Sequence, residues 1–300
     1  MGLHDRLFKQ LLQTFLSDLL RLVAPELAAA LLPRAARFLD KETFPDWPHG
    51  ERQEVDLLAE VPRVDDPQAK VLVHVEVEAQ ARGETAQRLF RYALQLELRH
   101  GLPVVPILVN LRGGPAGVQA IDFTRGVAGL EVHRFQFLAF GVGGCRAEDY
   151  LARPEPLAWA LAALMRPERL RPAEHKLACL RRLASADLND VERFILLNCV
   201  ETYLDLAPED ASELARLQSM EGNQEVAEME MTWADKIEAR GFEKGRRQGE
   251  AQMLLGQLEA RFGSLPAPTR ERVEGAESET LLRWSKRLFS ARRLEEVLEA

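Results

Sequence analysis

The sequence predicts an α/β domain with a mixed sheet flanked by helices, followed by an all-α C-terminal half. Three observations carry this. Two extended segments with period-2 alternation, Gln53 to Val61 and Lys70 to Gln80, flank the turn-rich run Pro62-Arg63-Val64-Asp65-Asp66-Pro67 and read as a β-hairpin. A helical stretch, Glu84 to His100, then leads into a short apolar run, Val104 to Asn110, with the pattern of a buried strand. Beyond about Tyr150 the apolar residues recur at helical spacing and no convincing strand follows.

Taken in order, the apolar positions Leu7, Phe8, Leu11, Leu12, Phe15 and Leu19 predict helix from Asp5 to about Leu32, broken into two by Pro25. Pro45 to Gly50 reads as loop. In the second hairpin segment Val71, Val73, Val75, Val77 and Ala79 take one face, and Leu72, His74, Glu76, Glu78 and Gln80 the other. In the first segment Glu54, Asp56, Leu58 and Glu60 share a face. Gly101 and Pro103 stop the following helix, and Leu130 to Phe140 is a further strand. These elements assign residues 1–150 to one α/β domain and 151–228 to a helical extension. A charged helical connector covers 229–253, and a small helical domain 254–300. The expected core of that domain is Leu258, Phe262, Val273, Leu281, Leu282, Trp284, Leu288 and Val297.

With 46% apolar and 29% charged residues over 300 positions, the chain has the balance of a folded protein. A net charge of −8 argues against general polyanion binding, so any nucleic-acid contact requires a local basic patch. Cys145, Cys179 and Cys199 lack CxxC spacing and are odd in number, which suggests neither a zinc site nor a disulfide framework and fits a cytoplasmic protein. The Leu/Ala-rich stretch from Leu19 to Leu32 is interrupted by Arg21, Pro25 and Glu26, so neither a signal peptide nor a membrane span is expected.

A hairpin folded symmetrically about Asp66 sets Asp56 opposite Glu76 and Glu54 opposite Glu78. Directly opposed side chains have Cβ atoms about 4.5–5.5 Å apart, where like charges repel unless a counter-ion lies between them. A hard divalent ion such as Mg²⁺ (or Mn²⁺) suits carboxylate oxygens and can orient water against a phosphodiester. The alternative from pattern alone is the solvated face of an amphipathic hairpin, its acids paired with arginines. On the following helix Arg88, Tyr92, Gln95 and Arg99 form a polar stripe opposite Leu89, Ala93 and Leu96, able to meet carboxylates or phosphates or simply to cover a surface.

Four ordered stretches resemble the recombination-promoting nuclease and transposase-like family (Rpn, or YhgA-like) of the PD-(D/E)xK nuclease superfamily. They are His4-Asp5 with Phe8-Lys9, Glu54-Val55-Asp56-Leu57-Leu58, His74-Val75-Glu76-Val77-Glu78, and Arg88-Leu89-Phe90-Arg91-Tyr92 running on to Gly101-Leu102-Pro103-Val104. The resemblance implies a restriction-endonuclease-like core and a Mg²⁺-dependent endodeoxyribonuclease. Asp56 and Glu76 match the metal-binding acids of the motif. Glu78 stands where Lys or Gln is the rule, as a further metal ligand or general base or as the mark of a weakened enzyme, and Gln80 offers a shifted E-x-Q match through Glu78. Asp5 matches the N-terminal acidic residue, while His74, Arg88 and Tyr92 would support the site or touch phosphate. The implied partner is DNA. Residues 254–300 resemble a helical domain that often closes transposase-like proteins. The alternative is a catalytically inactive nuclease fold serving as a DNA-binding or oligomeric assembly module.

Gly241, Gly245 and Gly249 recur at four-residue spacing within the charged helix, although each glycine costs about 1 kcal/mol relative to alanine. A stripe of this kind allows close approach by a second helix and so a homodimer through the C-terminal helical half. The alternative is a weakly helical connector.

Overall fold

The computed structural model of the chain describes residues 3–39, 43–45, 52–54, 56–80, 84–220, 222–288, 291 and 293–298, with side chains described for these except 3–6, 43–45, 52–54, 236 and 239–245. The chain divides into two compact units, Met1–Glu228 and Met229–Ala300.

The first unit opens with helices α1 (Leu3–Thr14), α2 (Leu16–Val23) and α3 (Pro25–Ala30), so the chain turns at Phe15 as well as before Pro25. Short strands β1 (Arg37–Phe38), β2 (Thr43–Pro45) and β3 (Arg52–Glu54) precede the hairpin β4 (Leu57–Pro62) and β5 (Lys70–Glu78). Helix α4 (Thr85–His100) leads to β6 (Val104–Asn110), and the hairpin β7 (Gly117–Val127) and β8 (Leu130–Gly141) completes the strands. Pro45, expected in a loop, is the last residue of β2. The expected single segment from Gln53 to Val61 divides, because β3 pairs with β2 in a separate two-stranded sheet.

The main sheet is mixed and six-stranded, in the order β1-β4-β5-β6-β8-β7. In the β4–β5 hairpin Leu57 faces Val75, Leu58 faces His74 and Pro62 faces Lys70, the register that symmetry about Asp66 dictates. That register stops at Leu57. Glu54, expected opposite Glu78, pairs instead with Thr43. Helix α4 makes the crossover that parallel pairing of β5 with β6 requires. It ends on Gly101, whose left-handed φ of 64° suits a residue without Cβ and lets its N–H bond Glu97 O. Pro106 is tolerated in a central strand because the β6–β8 ladder begins only at Ile107.

Helix α4 covers one face of the sheet, burying Leu58, Leu72, Tyr92 and Leu96 in one cluster and Leu89, Leu108, Phe137 and Ala139 in the next. Val73, Val75 and Ile107, which alternate to the other face, are also fully buried. Helices α5 (Ala147–Leu151), α6 (Pro156–Ala162), α7 (Pro172–Ala184), α8 (Asp190–Tyr203) and α9 (Pro208–Gln218) complete this unit. α1 packs against α8, where the Phe8 and Tyr203 rings lie 5.3 Å apart, and α2 packs against α6.

Helix α10 (Gln224–Phe262) runs 39 residues without interruption. With α11 (Ala267–Glu274), α12 (Ser278–Leu288) and α13 (Leu294–Leu298) it forms a core of Leu254, Leu258, Val273, Leu281, Trp284 and Val297, with Phe262 partly buried against it. Leu282, expected in this core, is 57% exposed, because Leu281, Trp284 and Leu288 already fill the inward face of α12. Gly249 is exposed, and a Cβ there would meet nothing within 4 Å. Gly241 and Gly245 lie outside the residues whose surroundings are described. Among the described residues no helix is long and apolar enough to cross a membrane.

Candidate functional site

The polar residues of β5 leave the sheet on the side that α4 covers, so the solvated face that pattern alone offered as the alternative is instead enclosed. His74 is fully buried, and Glu76 and Glu78 are 5% and 7% exposed. Burying carboxylates in this way is costly unless each is paired or hydrogen-bonded, and their partners come from the adjoining elements.

Helix α4 supplies two of them. Thr85, its first residue, donates its hydroxyl to Glu78 Oε1 at 2.7 Å. One turn on, Arg88 Nη2 donates to the same oxygen at 2.6 Å and lies 3.8 Å from Glu76 Oε2, so one guanidinium bridges both glutamates. Burial weakens the Arg88 cation, but the Glu78 hydrogen bond and the two carboxylate charges outweigh that and raise its pKa above the ordinary value. Tyr92, a further turn along, meets His74 edge to face at 5.8 Å between ring centroids.

Neighbouring residues within the hairpin supply the rest. His74 Nε2 lies 2.9 Å from Glu76 Oε1. Asp56 precedes β4, and its amide donates to Glu76 Oε1 at 3.4 Å while its carboxylate Oδ2 accepts the Val77 N–H at 2.9 Å. Asp56 is thus brought beside Glu76, but it stands just before β4, outside the ladder in which turn symmetry set the two residues opposite each other. Gln80 is exposed in the bend after β5 and is not buried with the acids. Asp5 lies on α1, and its side chain is outside the described residues.

Two residues of this cluster escaped the sequence reading. Thr85 is one; its signal was a hydroxyl at the start of a helix soon after two alternating acids. Asn110 is the other. It is the register partner of Glu78 in the β5–β6 ladder and is 4% exposed. Its signal was a lone amide ending an apolar parallel strand, where open α/β sheets place their ligands.

Among the described residues, three atoms here are buried with no hydrogen-bond partner: His74 Nδ1, Glu78 Oε2 and Asn110 Oδ1. Carboxylate and amide oxygens are the donors that a hard divalent cation takes. Asp56, Glu76, Glu78 and Asn110 therefore fit such an ion in chemistry, with Arg88 supplying the positive charge between the two glutamates in this structure. Among the described residues no three His, Cys, Asp or Glu side chains already converge as a ligand set. Elsewhere in the first unit Cys145, Cys179 and Cys199 are buried free thiols, and burial pushes the Cys179 thiol up to about 12, which removes it from nucleophilic chemistry.

Comparison with family models, with curated proteins and with solved structures finds no match to this chain.

Proposed function

We propose that this chain is a PD-(D/E)xK-type, divalent-metal-dependent endonuclease that hydrolyses DNA phosphodiesters, of the transposase-like Rpn kind. The observation that supports it most is the pair of buried, unpartnered oxygens on Glu78 and Asn110 beside Glu76 and Asp56. Such oxygens are what a bound cation would satisfy. Mg²⁺ or Mn²⁺ in this place would act as a Lewis acid on phosphate and orient water against it. Asp56 and Glu76 hold the ion in this reading, with Glu78 as a third carboxylate in place of Lys. Asp56 also ties the main chain of β5 through Val77, which fixes the acids relative to one another. Arg88 neutralises the glutamates until the ion arrives and then has a cation to offer phosphate, while His74 and Tyr92 brace Glu76 from behind. The buried free thiols suit a reducing compartment such as the cytoplasm. A second copy joined through the C-terminal helical half would set two such sites against the two strands of a duplex.

The test is cleavage of supercoiled and linear DNA by purified protein with Mg²⁺ or Mn²⁺. The expected outcome is metal-dependent nicking that Asp56→Ala or Glu76→Ala abolishes while the circular dichroism spectrum is retained. One observation favours a second reading, a catalytically silent DNA-binding or assembly module. Arg88 already bridges the two glutamates, as a structural ion pair would. A wild-type protein inert with every metal and substrate, yet fully folded, selects that reading.

A further inference from the structure

At the end of the β5–β6 ladder two register partners each carry a buried acceptor atom with no donor among the described residues. Glu78 and Asn110 are register partners, so their side chains leave the sheet on the same side, beneath α4. Thr85 and Arg88 both bind Glu78 Oε1, which fixes the carboxylate and leaves Oε2 open. Oε2 and the Asn110 carbonyl oxygen are each buried without a partner among the described residues. A buried unsatisfied acceptor destabilises the fold that carries it, and an apolar residue at position 110 would avoid the penalty. Among the described residues, none supplies a partner for the Asn110 carbonyl oxygen.

We infer that Asn110 Oδ1 is a direct ligand to the divalent cation of this site, sharing it with Glu78 Oε2. The inference rests on the metal-dependent reading above and adds to it a neutral fourth oxygen, from a strand that carries none of the acids. The choice of an amide follows from charge. Asp56, Glu76 and Glu78 already place three acidic side chains here, and a fourth carboxylate would raise their repulsion in the absence of metal. An amide carbonyl adds a coordinating oxygen without adding charge, as Asn does in other oxygen-ligand sites.

The experiment is Mn²⁺ titration of the full chain, with free Mn²⁺ read by electron paramagnetic resonance, on wild type, Asn110→Ala and Asn110→Asp. Thermal unfolding of each with and without Mn²⁺ runs alongside. Wild type is expected to bind Mn²⁺, Asn110→Ala to bind it about tenfold or more weakly, and Asn110→Asp to bind it more tightly. Asn110→Asp is also expected to be less stable than wild type without metal and to recover most of that loss with it. If Asn110→Ala does not fold, Asn110→Asp carries the test alone. Equal Mn²⁺ affinity in wild type and both variants overturns the assignment of Asn110 and leaves the nuclease reading standing. An Asn110→Asp protein that is destabilised and not rescued by Mn²⁺ shows that the amide donates to Glu78, and also overturns it. A wild type that binds no Mn²⁺ removes the metal-dependent reading and this ligand together.

Discussion

Replacing Arg88 by alanine tests how the buried glutamates are held. The guanidinium is their cationic partner, at 2.6 Å from Glu78 and 3.8 Å from Glu76. Removing one side of a buried ion pair costs about 3–5 kcal/mol, because the remaining charge is left uncompensated. The Arg88 side chain keeps 20% exposure, so water reaches the pair and the lower end, about 3 kcal/mol, applies. For a unit of the length of Met1–Glu228 that corresponds to a Tm lowered by about 6–12 °C. Adding Glu78→Gln, which keeps the Thr85 contact but deletes one anion, should recover about 1–2 kcal/mol of the loss. Millimolar Mn²⁺ should raise the Tm of Arg88→Ala more than that of wild type, since it takes over the neutralising role. Scanning calorimetry measures all of these. A Tm loss of about 2 °C or less, or strict additivity with Glu78→Gln, would refute the claim that Arg88 is their counter-charge.

Three further outcomes follow from other parts of the molecule. Arg193 donates to four carbonyls at and beyond the end of α7, those of Leu183, Ala184, Ala186 and Leu188, at 2.6 to 3.3 Å; Arg193→Ala should cost about 2–3 kcal/mol in urea unfolding, and Arg193→Lys should recover only part because it lacks the planar fork. Asp18 is held above its ordinary 3.8, chiefly by burial and against its bond from the Leu157 amide. The native state therefore binds this proton more tightly than the unfolded chain, so stability is lost as pH rises from 3.8 through the raised value. Asp18→Asn should be more stable than wild type at pH 7, with the gap closing towards pH 4, and urea midpoints at several pH values decide it. Gly249→Ala should stabilise the second unit by about 1 kcal/mol, since the added methyl meets open space; a loss of stability or a change of mass in light scattering would instead mark that position as a helix seam.

Where one periodicity was clean, the structure was readable from the residues. The alternation of Lys70 to Glu78 with a symmetric turn fixed the hairpin register, and Gly101 with Pro103 fixed the end of α4. Val104 to Asn110 was readable because a parallel strand buried on both faces is continuously apolar. What failed was local pattern facing tertiary competition. Glu54 left the ladder because β3 found a partner in β2. β7 went unnamed: Gly113, Gly114 and Pro115 precede it, none of its residues is buried, and its apolar residues change phase between Ala120 and Ile121, which breaks the alternation. Alternation placed the acids together but could not tell a solvated face from one beneath a helix. That depends on α4 folding back across the sheet, which is a property of the crossover and not of the strand. Asn110 was missed for the same reason, because its meaning comes from standing beside Glu78.

The Val77 amide, which Asp56 holds through a carboxylate oxygen, makes the site observable without any substrate. Most strand amides are protected by a neighbouring main chain, and their exchange with solvent deuterium reports the opening of the sheet. This proton is guarded by an ionisable side chain, so its exchange rate and its nitrogen-15 shift will respond when that carboxylate is engaged elsewhere. One backbone resonance of β5 is thereby a native sensor of what Asp56 is bound to.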